Sequence, residues 1–270
     1  MQGSGQGRIM GAINHAETVA VVTGGAQGLG LAVAEALIAD GCRKMLIAGR
    51  DSDKGNRAAG ALSQTGADVV FLSADMGDPA AAKAPVVAAA ARWGRVTALV
   101  NAAAVTDRAS ILDCTAQEWD RQMAINARGP FLAIQELANR AIAGGHPASV
   151  VNILSMSAHG GQPFLAPYAA SKAALANVTK NAANALARYR IRVNGLNIGW
   201  MDTPGEAMIQ KKWHEAPDDW LARAEAAQPF GSLVKPQSVA IFVSYLLSDA
   251  AGVMTGSVID FDQNVNGTSD

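Results

Sequence analysis

Short runs of apolar and β-branched residues recur along the chain, separated by longer, Ala-rich stretches with helical spacing. Residues 18–23, 44–48, 68–73, 97–101, 149–154, 192–197 and 257–261 read as strands. Each is nearly continuous in apolar character rather than alternating, the pattern of parallel strands buried on both faces. Residues 29–40, 52–64, 79–92, 115–143, 168–188 and 236–248 read as the intervening helices. Regular alternation of strand and helix predicts an α/β fold. The expectation is a Rossmann-like, doubly wound, seven-stranded parallel sheet with right-handed crossovers and helices on both faces. One segment breaks the rhythm: residues 199–235 separate the sixth and seventh strands, with weak helical pattern and several prolines. A connection that long in a compact domain reads as a lid. No repeat or linker divides the chain, so residues 18–270 read as one domain behind a flexible leader, residues 1–17.

Composition narrows the class. Half of the 270 residues are hydrophobic, yet no run approaches the ~18 apolar residues of a membrane span. The 22 basic and 23 acidic residues are intermixed, giving a net charge of −1 without a basic stripe, so nucleic acid is not an expected partner. Cys42 and Cys114 lack metal-ligand spacing and read as inert thiols, and no metal site is expected. The leader lacks the apolar core of a secretory signal, which points to the cytoplasm.

The candidate chemistry lies in two places. The first strand runs into Thr23-Gly24-Gly25-Ala26-Gln27-Gly28-Leu29-Gly30 and then directly into a helix. Gly24, Gly28 and Gly30 allow a tight turn and a close approach of backbone to a pyrophosphate at the helix N-terminus, although turns also use glycine for purely conformational reasons. The second place is Tyr168-Ala169-Ala170-Ser171-Lys172, where i, i+4 spacing puts a phenol and an ammonium on one helix face. An ammonium about 4 Å away would favour the phenolate by about 4 kcal/mol at an effective dielectric near 20, on the order of three pKa units. From spacing alone, an idle surface pair is the favoured reading.

The glycine loop, Asn101-Ala102-Ala103-Ala104, Asn126, Ser155 and Tyr168-x-x-x-Lys172, in this order, resemble a classical short-chain dehydrogenase/reductase from about residue 18 to residue 262. The resemblance implies an NAD(P)-dependent oxidoreductase moving a hydride between nicotinamide and a ketone or secondary alcohol. Tyr168 would be the general acid or base, Lys172 would hold the nicotinamide ribose and lower the Tyr168 pKa, Ser155 would hydrogen-bond the substrate oxygen, and Asn126 would anchor a water in the proton relay. The cofactor would lie along Gly24, Gln27, Gly28, Leu29, Gly30, Asp75, Met76, Asn101, Ala102, Ala103, Gly199, Met201 and Thr203. Ala102 and Ala104 depart from the family's Asn-Asn-Ala-Gly segment, Ile198 replaces a usual proline, and the segment from Phe261 replaces the common Asp-Gly-Gly ending. Gly49 stands where NAD-dependent members carry an acid, and Arg50 follows it, so NADP(H) is favoured, with NAD(H) as the alternative; Asp51 nearby argues the other way.

Ser155, Met156, His159 and Trp200 are the expected substrate contacts, with Gln162 and Phe164 beside them. The insertion carries three of the five tryptophans, which suits an apolar wall around a carbonyl or alcohol, a sugar or polyol, or a subunit-facing or self-packing helix pair. Family membership implies a homotetramer or homodimer. A non-catalytic dinucleotide sensor on the same fold is the rival reading, and retention of Ser155, Tyr168, Lys172 and Asn126 together argues against it.

Overall fold

The computed structural model describes residues 13–267. Seven strands form one parallel sheet: β1 (Val19–Thr23), β2 (Lys44–Gly49), β3 (Asp68–Ser73), β4 (Ala98–Asn101), β5 (Ala148–Ile153), β6 (Ile191–Ile198) and β7 (Val258–Phe261). Their spatial order is β3-β2-β1-β4-β5-β6-β7. The apolar runs become strands because helices cover both faces: every residue of β1, β4 and β5 is buried. On one face α1 (Gly28–Ala39), α2 (Ser52–Ser63) and α9 (Pro236–Leu247) pack against the sheet through Val33, Leu37, Leu62, Val243 and Leu246. On the other, α3 (Pro79–Trp93), α5 (Gly129–Ala143) and α6 (Ala166–Leu186) contribute Val86, Ala89, Ile134, Leu137 and Ala183. Small side chains let these helices lie close to the strands.

β1 pairs with β2 on one side and β4 on the other, so the winding of the sheet reverses there. A crevice therefore opens beyond the C-terminal ends of β1 and β4, where such sheets take their ligands.

Two expectations need correction, and a third segment takes one of the forms its sequence allowed. Residues 115–143 do not form one regular helix. After α4 (Ala116–Met123) a π turn, Ala124–Arg128, precedes α5. Pro130 has no N–H to offer the Asn126 carbonyl four residues earlier, and the extra residue in the turn relieves that mismatch. The insertion after β6 holds two helices, α7 (Pro204–His214) and α8 (Trp220–Ala226). They pack on their own small core of Trp220, Ala224 and Leu233, and Lys235 Nζ ties them to Asp202 (2.8 Å) and Glu225 (2.6 Å). Finally, the leader is anchored before β1: His15 is 1 % exposed, its Nδ1 bonded to Thr18 Oγ1 and its Nε2 to Ser244 on α9. The rest of the predicted leader, up to residue 12, lies outside the described residues. Cys42 is buried, as expected, whereas Cys114 is only partly so. Among the described residues no helix is long and apolar enough to cross a membrane.

Candidate active site

The crevice is a cleft of about 1370 Å³ lined from the glycine loop at one end to α7 at the other. At the glycine end, Gly24 adopts φ +71°, and a Cβ there would lie 2.8 Å from the Ala103 nitrogen; a Cβ on Gly30 would lie 2.3 Å from the Gly24 oxygen. Only glycine fits either position. Thr23 Oγ1 accepts from the backbone N–H of Ala102 (3.2 Å) and Ala103 (3.3 Å), locking the β4 loop against the β1 loop. No side chain caps the N-terminus of α1, so its first N–H groups and the positive end of its dipole face the cleft. Bare backbone, a helix N-terminus and an absence of Cβ atoms together fit a pyrophosphate.

Farther along this end lie Gly49, Arg50, Asp51, Lys54 and Asp75. Asp51 caps α2, its Oδ1 accepting from Lys54 N–H at 2.9 Å, and that hydrogen bond holds its carboxyl below the usual range. Lys54 Nζ donates to Gln27 Oε1 at 2.8 Å, and both side chains line the cleft. Asp75 Oδ1 accepts from Gly77 N–H.

At the other end, α6 carries Tyr168 and Lys172 one turn apart, and Ser155 follows β5. Ser155 is 8 % exposed, its Oγ accepting from Ser157 N–H at 3.1 Å. Lys172 is 3 % exposed and donates to the Ile153 carbonyl at 2.7 Å; burial pulls its pKa down to about 8. Its Nζ stands 5.7 Å from the centre of the Tyr168 ring. Burial pushes the Tyr168 phenol up from its ordinary value; Glu206 pushes the same way, while the Ser155 hydroxyl and the Arg108 charge pull it down. The direct lowering by Lys172 expected from the spacing is not what this arrangement delivers. The ammonium is drawn to a backbone carbonyl, and desolvation of the phenol outweighs the nearby charges.

A family model described as enoyl-(acyl carrier protein) reductase matches residues 24–266. Among curated proteins, 2-(S)-hydroxypropyl-CoM dehydrogenase 3 of Xanthobacter autotrophicus is 34% identical over 249 residues, 90% of this chain and 94% of the relative. The NADP-dependent (R)-specific alcohol dehydrogenase of Lentilactobacillus kefiri is 33% identical over 246 residues, 88% of this chain and 92% of the relative. Among solved structures, a point variant of actinorhodin polyketide ketoreductase with NADPH superposes with a TM-score of 0.86 at 27% identity, covering 93% of this chain and 98% of that one. The chain belongs to the short-chain dehydrogenase/reductase family. It is an oxidoreductase acting on alcohol groups.

In this short-chain dehydrogenase/reductase, most residues singled out from the sequence meet in the one cleft: Gly24, Gln27, Gly28, Leu29, Gly30, Arg50, Asp75, Met76, Ala102, Ala103, Ser155, Met156, Tyr168, Lys172, Gly199, Trp200, Met201 and Thr203. Thr203 also caps α7, accepting from Glu206 N–H at 3.0 Å. Three do not line it. Asn101 lies beneath the floor, its Nδ2 donating to Asn152 Oδ1 at 2.8 Å, and Asn152 in turn donates to Thr179 on α6. Asn126 is fully buried, and its amide clamps Val105, accepting from the N–H and donating to the carbonyl, both at 2.9 Å. His159 turns away from the cleft to Asp260 (2.8 Å) and Asn197 (2.9 Å), held on the ends of β6 and β7. It is a loop-pinning side chain, which corrects its expected place among the substrate contacts.

Sequence reasoning missed Lys54, Arg108 and Glu206 in the cleft wall. Lys54 could have been found one turn past the Asp51 cap; nothing in the sequence marks the other two.

Proposed function

We propose that this chain interconverts a ketone and a secondary alcohol with a preference for NADP(H). The observation that carries the reading is the convergence of Ser155, Tyr168 and Lys172 in the same cleft as the glycine cradle. When bound, the nicotinamide supplies or accepts the hydride. Ser155 Oγ–H donates to the substrate oxygen and stabilises the charge that gathers on it. Tyr168 Oη–H gives its proton to that oxygen in reduction and takes it back in oxidation. Lys172, buried in the cleft lining, would hold the ribose as a cationic neighbour. The Asn126 amide is engaged by Val105 and Ser171, so a relay water would rest on its main-chain carbonyl, which Pro130 leaves without an α-helical donor. Trp200, Met201, Phe164 and α7 line the same cleft and would form the wall around the carbonyl.

The preference for NADP(H) rests on the basic pair. Arg50 and Lys54 both line the ribose end, Gly49 puts no carboxylate there, and one oxygen of Asp51 is committed to capping α2. A 2′-phosphate would meet two cations, whereas a 2′-hydroxyl would have no carboxylate at Gly49 to accept its hydrogen bond. The name of the kefiri relative, an NADP-dependent alcohol dehydrogenase, agrees with this reading.

Fluorescence titration with NADPH and NADH side by side tests it. NADPH is expected to bind at least tenfold tighter, and the double variant Arg50→Ser/Lys54→Ser to lose most of that margin. Tighter binding of NADH would reverse the preference, and failure to bind either would remove the oxidoreductase reading for this cleft.

A further inference from the structure

Arg108 lies in the loop after β4, in the cleft wall on the Tyr168 side. It is half-buried, with its guanidinium over the Phe164 ring at 5.3 Å. Nε and Nη2 both donate to His214 Nε2 at 3.3 Å, and Nη1 donates to the Thr106 carbonyl at 3.2 Å. These partners are a ring nitrogen, a backbone oxygen and an aromatic face. None is an anion, and Nη1 and Nη2 each keep a second N–H without a partner among the described residues.

The carboxylates whose fields reach Arg108 are held elsewhere. Asp107 pairs with Arg121, and Lys212 Nζ stands 3.9 Å from its other oxygen. Glu206 Oε1 accepts from Trp200 Nε1 (2.9 Å) and Gln210 Nε2 (2.7 Å). Among the described residues no carboxylate lies within ion-pair distance of Arg108. The contrast with other half-buried arginines is informative. Arg121 is paired with Asp107 and Glu118, and Arg192 is wrapped by the carbonyls of Leu246, Leu247, Ser248 and Met254. A desolvated guanidinium without a counter-ion is costly, and a planar fork with open N–H groups matches a carboxylate in two-point contact.

We propose that Arg108 is a specificity-determining residue that binds a carboxylate on the substrate, so that the cleft takes hydroxy and oxo acids. Calling that carboxylate a part of the substrate rests on the oxidoreductase reading above; the anion subsite itself does not. Phe164 and His214 hold the guanidinium in the cleft wall, where Nη1 and Nη2 keep N–H groups for a ligand. Because His214 closes α7, the same contact couples the position of the lid to the charge it covers.

The test is calorimetric titration of the full chain, saturated with NADP+, with acetate, benzoate and cyclohexanecarboxylate, each against its neutral amide. At least one acid is expected to bind tenfold or more tighter than its amide. Arg108→Gln should erase that preference while leaving the amide and NADPH affinities within about twofold, and Arg108→Lys should keep part of it. If no acid outbinds its amide, or if Arg108→Gln weakens acid and amide alike, the assignment is overturned and Arg108 serves only to hold the lid. No turnover is needed for this readout, so inactivity on every ketone would count against the oxidoreductase reading and leave the subsite standing.

Discussion

Tyr168→Phe is expected to lower kcat/KM for ketone reduction by on the order of 10³-fold, within the range by which positioned acids and bases accelerate proton transfer, while NADPH binding stays within about twofold. The substitution removes one oxygen and keeps the ring, so the walls of the cleft and the packing of α6 are preserved. What disappears is the proton that must reach the substrate oxygen as the hydride arrives. Ser155 remains to stabilise the developing charge, and it cannot replace that proton because its own hydroxyl is too weak an acid. The direction of the Tyr168 shift adds a second signature. Burial holds the phenol protonated at neutral pH, the form that reduction requires. Alcohol oxidation requires the phenolate and should climb with pH through the alkaline range, while reduction falls there. Retention of more than about a tenth of the parent activity in Tyr168→Phe would move the proton transfer to another group.

Lys172→Met is expected to cost at least 10²-fold in kcat and, unusually for a buried active-site position, to leave the fold no less stable at neutral pH. The sign follows from its depressed pKa, about 8 in the folded state against 10.5 in the unfolded chain. Below pH 8 both states are protonated, so the folded protein carries the full desolvation cost of the ammonium. Between pH 8 and 10.5 the unfolded chain binds more protons, and that cost is relieved as pH rises. The shift corresponds to on the order of 3 kcal/mol. Methionine has no charge to desolvate and fills a similar volume. Urea unfolding of the cofactor-free protein should therefore show the variant at its greatest advantage near pH 7, with the gap narrowing toward pH 10. Comparing variant with parent at each pH cancels other titrating groups, including Tyr168 and Cys42. A gap that does not change with pH would mean that the Ile153 carbonyl compensates the ammonium fully.

The two substitutions probe residues that were legible for different reasons. Tyr168 and Lys172 could be paired by helical spacing, and the glycine loop could be placed by its position between an apolar run and a helix. Their chemistry was only half legible. Spacing suggested that the lysine would lower the phenol's pKa, but the lysine points to the Ile153 carbonyl and burial dominates the phenol. The break at Asn126 was foreshadowed by Pro130 and hidden by the apolar periodicity that continues through it. His159 looked like a substrate contact because it lies between Ser155 and Tyr168 in the chain; its partners, Asn197 and Asp260, come from strands distant in sequence.

Ser155 came in only through the resemblance to the family, whereas local pattern was enough for the strands, most helices, the glycine loop and the pairing of Tyr168 with Lys172 on one helix face. Those features are set by short-range rules: apolar runs, turn glycines and a four-residue helical repeat. Tertiary structure alone decided which charges are neutralised. Asp51 is committed to a helix cap and Asp107 and Glu206 to partners of their own, while Arg108 meets only a ring nitrogen, a carbonyl and an aromatic face, with no carboxylate at ion-pair distance among the described residues. Electrostatics inside a cleft depends on distance and desolvation among residues that the chain separates widely, and one-dimensional spacing does not encode either quantity.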